Sequence, residues 1–69
     1  MKKAGNESEV IEEIIALLHK SKEYLNTGYE DEAVIMLHEA RAVANEAENL
    51  SPKLKDECIE TISRIIENI

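Results

Sequence analysis

Apolar residues recur at steps of three and four along almost the whole chain, and only two places interrupt them. That spacing keeps a continuous apolar stripe on one side of an α-helix, and a strand cannot use it. The first interruption is Asn26-Thr27-Gly28, and the second is Asn49-Leu50-Ser51-Pro52. The second is the sharper signal. Serine is a strong N-cap, and proline at the next position has its φ preset and no N–H to leave unsatisfied. Two breaks in one helical pattern divide the chain into three helices. Both connections are short, so consecutive helices should be antiparallel neighbours. The expected fold is all-α, an antiparallel three-helix bundle with helices at about 7–26, 29–48 and 52–68.

The seams define what each helix should bury. The first helix carries two adjacent stripes, Val10, Ile14, Leu17, Ser21, Tyr24 and Ile11, Ile15, Leu18, Lys22, Leu25. Residues 1–5 read as a tail, and Asn6 with Glu9 reads as a capping box that opens this helix. Gly28 can end it in the left-handed conformation, without the steric cost a side chain would carry. Thr27 with Glu30 is a second possible capping box, and Asp31 and Glu32 add negative charge where a helix N-terminus favours it. The second helix turns mainly small residues inward: Ala33, Leu37, Ala40, Ala44 and Ala47, flanked by Met36, Val43 and Leu50. Such a seam lets a neighbouring helix approach closely. The third helix presents Leu54, Cys58, Ile62, Ile65 and Ile69 beside a neighbouring stripe of Ile59, Ile62, Ile66 and Ile69.

Sixty-nine residues form one helical domain. A chain this short buries only about 60% of the surface that its unfolded form exposes. Its single core supplies roughly 3–5 kcal/mol. No disulfide can add to that, since Cys58 is the one cysteine. An unpaired cysteine fits a reducing, cytoplasmic setting. The longest nearly apolar run, 14–18, is far below the ~20 residues of a membrane span, and no signal-peptide pattern opens the chain.

Net charge is −7, and the segment 28–50, with six acids against Arg41, holds −5 of it. An acidic surface repels phosphate, which argues against nucleic acid as a direct ligand. Solubility accounts for such a face, and a basic protein partner is the other reading.

Catalytic, cofactor and metal sites are not expected. His19 and Glu23 share a face at metal-ligand spacing, but they sit in a polar stripe with no second histidine four positions away. Cys58 lies on an apolar seam beside Asp56, Glu57 and Glu60, which oppose a thiolate. The acidic pairs Glu12-Glu13, Asp31-Glu32 and Asp56-Glu57 lack a cleft to separate their pKa values. No serine has triad partners at recognisable offsets, and no glycine-rich phosphate loop is present. The chain does not read as an enzyme.

Tyr24, Gly28, Ala33, Leu37 and Ala40 stand at the spacing of a tetratricopeptide repeat, with Ser21 as the small residue of its first helix. The resemblance covers about 17–44. It departs at Leu17, Lys20 and Asn45, where tryptophan, leucine and proline are typical. Solenoids need about three such repeats, and one is present. The long second helix and the added third resemble the MIT domain, a three-helix bundle that binds short tail motifs in grooves between its helices. Leu25, where an acid is common, and Tyr29, one place out of register, depart from that pattern.

These resemblances imply a protein-binding module, and the apolar surplus of helices 1 and 3 agrees. Helix 2 is mostly alanine inside, so a groove deep enough for an amphipathic helix or short peptide is expected between helices 1 and 3. Its expected walls are Val10, Ile14, Leu17 and Tyr24 against Ile59 and Ile66. The competing groove, between helices 2 and 3, would use Glu39 and Glu46 to draw in a basic peptide. The alternative function is a self-associating structural bundle, natural or engineered, in which a homodimer covers the same apolar surface.

Overall fold

The computed structural model describes residues 7–69 and shows three α-helices: α1, Glu7–Asn26; α2, Glu30–Glu46; and α3, Pro52–Glu67. The expected tail and Asn6, half of the first capping box, lie outside the described residues. Helix α1 packs on α2, and α2 on α3. Among the described residues, no Cα of α1 comes within 8 Å of one in α3. The bundle is therefore open on one side. Its radius of gyration, 12.3 Å, exceeds the ~11 Å of a compact domain of this length, and its outline is flattened at 38 × 25 × 13 Å.

Helix α2 is central because its inner face is small. Ala33, Leu37, Ala40 and Ala44 have no exposed surface. Three alanines among four positions remove the side-chain bulk that would hold the outer helices away. Ile14 from α1 and Ile62 from α3 close on that face, 4% and 1% exposed, and Leu50 seals the lower end. Ser21 is buried as well, its hydroxyl donating to the Leu18 carbonyl at 2.8 Å, so its polar group is satisfied within α1.

The turn between α1 and α2 is a Schellman motif. Gly28 takes φ +87°. The Tyr29 N–H donates to the Tyr24 carbonyl at 2.8 Å and the Gly28 N–H to the Leu25 carbonyl at 3.3 Å. These bonds satisfy carbonyls that the helix end would otherwise orphan. The apolar contact that accompanies the motif is supplied by Tyr24 and Tyr29, whose rings stack at 6.2 Å. Thr27 differs from expectation. Its hydroxyl donates to the Glu23 and Tyr24 carbonyls, each at 3.1 Å. It closes α1 rather than opening α2, whose N-cap is Tyr29 without a side-chain cap bond. Glu30, Asp31 and Glu32 supply negative charge there instead.

Helix α2 ends at Glu46, two residues before the expected Glu48. Ala47 turns extended at ψ 123°. Continuing the helix would leave too little chain to reverse direction before Ser51 and would carry Leu50 away from the core. At the start of α3, the Leu54 N–H donates to Ser51 Oγ at 3.3 Å, and Pro52 occupies the first turn.

Candidate functional site

The opening between α1 and α3 is an apolar groove enclosing about 230 Å³. Ile14 and Ile62 form its floor. Leu18 on one side and Leu54 and Cys58 on the other form half-buried walls, with Glu57 and Thr61 at the exposed rim. Side chains at i and i+4 share a helix face, which brings Ile14 with Leu18, and Leu54 with Cys58 and Ile62, into line. Ile15, 48% exposed, lies a further ~60° around α1 beyond Leu18 and extends the apolar surface outward. Glu57 is the one charged residue of the lining.

Of the six residues expected to form a partner surface, the structure brings Ile14 alone into this groove. Val10 and Leu17 are half-buried against the core on the opposite flank of Ile14. Tyr24 is half-buried and engaged with Tyr29. Ile59 and Ile66 pack on the flank of Ile62 that faces away from Leu54 and Cys58. Both outer helices thus present the other of their two seams to the groove, Leu18 in place of Leu17 and Cys58 in place of Ile59. The signal for those walls was in the sequence, in the second seam of α1 and the first seam of α3.

A second depression lies between α2 and α3, lined by His38, Arg41, Ala42, Asn45 and Ile59. Glu39 and Glu46, expected to attract a basic peptide there, are exposed and not part of that lining. They stand two and five positions from Arg41, roughly 140–160° around the helix from it.

His19 is exposed, and no group of three or more potential metal ligands occurs among the described residues. Cys58 is half-buried in the groove wall. No helix of the described residues is long and apolar enough to cross a membrane. The chain matches no family model, no curated protein and no solved structure.

Proposed function

We propose that this domain is a protein-binding module whose α1–α3 groove receives an amphipathic helix with a basic flank. The observation that carries this reading is the groove itself: two outer helices held on an alanine-faced central one, with an apolar trough left between them. Its volume falls below the roughly 300–1,000 Å³ of small-molecule sites. It suits a few side chains of a partner helix lying along it, anchored at i, i+3 and i+4 positions. Backbone pairing is a poor alternative, since the described elements are helices and offer no sheet edge. The rim acid Glu57 and the net charge of −7 favour a basic partner over a second, equally acidic copy. The resemblance of the 17–44 hairpin to tetratricopeptide and MIT domains points the same way, as does the reducing, cytoplasmic setting that the lone cysteine suggests.

The test uses a synthetic lysine–leucine amphipathic helix as probe, with backbone amide shifts as readout. The reading expects saturable shifts confined to residues around Leu18, Leu54, Cys58 and Ile62. Leu54→Glu, whose side chain is half-exposed, should abolish them while the circular dichroism spectrum is retained. Wild-type protein should sediment at its monomer mass of 7.8 kDa. Sedimentation at twice that mass, reverting to monomer in Leu54→Glu, would instead assign the groove to self-association. Shifts spread evenly over the surface would remove the groove from consideration.

A further inference from the structure

Arg41 is the only base in the acidic stretch 28–50, and its surroundings orient it without neutralising it. It is half-buried on the flank of α2 that meets α3. Its Nη1 donates to Ser63 Oγ at 3.0 Å, and its Nη2 lies 3.0 Å from His38 Nδ1. No carboxylate of the described residues pairs with it; the ion pair they contain is Arg64–Glu60, at 3.2 Å on the exposed side of α3. A guanidinium carries five N–H donors, so these two contacts fix the plane of the fork and leave further donors toward the depression. Asn45, an exposed residue of α2, lines the depression beside Arg41. Lys55, reaching back from α3 to the Asn45 carbonyl at 3.4 Å, adds a second positive charge. Ile59 and Ala42 supply an apolar floor and a flat edge.

We infer that this depression is a second binding site, anchored on Arg41, for a glutamate or aspartate side chain of an acidic peptide. It is independent of the α1–α3 groove in position and opposite to it in charge preference. An oriented, unneutralised guanidinium is matched by a carboxylate in geometry as well as sign. A doubly charged phosphate is disfavoured, because the local cations are few and it brings no apolar part to cover Ile59. A free small acid would gain nothing from Ile59, whereas a peptide carries an apolar neighbour to cover it. Glu39 and Glu46, three and four positions from Ala42, border the outer edge of the depression and stand away from Arg41 at its other edge. At 0.1 M salt their field is screened over about 10 Å.

The experiment follows Ile59 methyl, Asn45 side-chain amide and Arg41 Nε–H resonances. The probes are a helical glutamate–leucine–alanine peptide, its glutamine counterpart, free glutarate and inorganic phosphate. The acidic peptide should shift all three signals in one saturable process. The glutamine peptide should bind at least tenfold more weakly. Arg41→Lys, which keeps the charge and loses the fork, should weaken binding several-fold with the fold intact by circular dichroism. Ser63→Ala, which frees the guanidinium, should weaken it less and broaden the Arg41 Nε–H line. Equal binding of the two peptides, or unchanged affinity in Arg41→Lys, overturns the proposal. So does tighter binding of phosphate or glutarate than of the peptide, or movement of the shifts to Leu18 and Leu54.

Discussion

Arg41 on α2 and Ser63 on α3 meet through a 3.0 Å hydrogen bond, the side-chain-to-side-chain bond that joins these two helices among the described residues. A single mutant understates such a bond, because alanine is the better helix former at position 63. A double-mutant cycle with Arg41→Ala and Ser63→Ala separates the two effects. We expect a coupling energy of about 0.5–1.5 kcal/mol from urea unfolding. A coupling indistinguishable from zero would mean that the bond is not maintained in solution.

Ile62 and Leu37 are the largest side chains with essentially no exposure. Truncating a buried isoleucine to alanine costs about 2–5 kcal/mol, against a core worth roughly 3–5. Ile62→Ala should therefore be largely unfolded at room temperature by circular dichroism. Ile15→Ala, at a half-exposed position of α1, should retain a cooperative melt.

Ala40 is fully buried, midway along the inner face of α2. Ala40→Leu should cost about 1–3 kcal/mol by overpacking that face. Ala16→Leu, on the exposed side of α1, should change stability by less than about 0.5 kcal/mol. Similar melting midpoints for the two variants would contradict the inward face assigned to α2.

Gly28 holds φ +87°, with open space where a Cβ would stand. The cost of Gly28→Ala is then conformational rather than steric crowding by neighbours, about 1–2 kcal/mol. Gly28→Asn should recover part of it, since asparagine tolerates the left-handed region. Thermal melts of the three proteins should rank glycine, asparagine, alanine.

The sequence made the three helices legible because their signals are local. Ser51-Pro52 caps α3 by its own chemistry, and the alanines of α2 announce its inner face. Even the α1–α3 opening follows from residue size. The identity of its walls does not. Each outer helix carries two stripes of similar apolarity, flanking Ile14 on α1 and Ile62 on α3. Which stripe faces α2 depends on whether the third helix is laid to the left or the right of the hairpin. The expected walls, Leu17 and Tyr24 against Ile59 and Ile66, come from one pair of stripes, and the structure turns Leu18, Leu54 and Cys58 of the other pair to the groove. A period of 3.6 residues is blind to that choice. The Thr27 hydroxyl was ambiguous for a related reason: it stands between two helix ends, and the Schellman turn, held by Tyr24 and Tyr29, decides which one it serves.

The gap between α1 and α3 also bears on how the chain reaches this structure. The close backbone approaches between helices join neighbours in sequence across one short turn, so no long loop must be closed before packing begins to offset its entropy. Low contact order of this kind places folding in the microsecond-to-millisecond range. The α1–α2 hairpin is tied by its own turn and stacked tyrosines, whereas α3 joins it mainly along α2. Docking of α3 is thus the last step of assembly and the first to reverse. Its amides should exchange with solvent ahead of those around Leu37, making the helix that walls the groove also the one that most readily lets go.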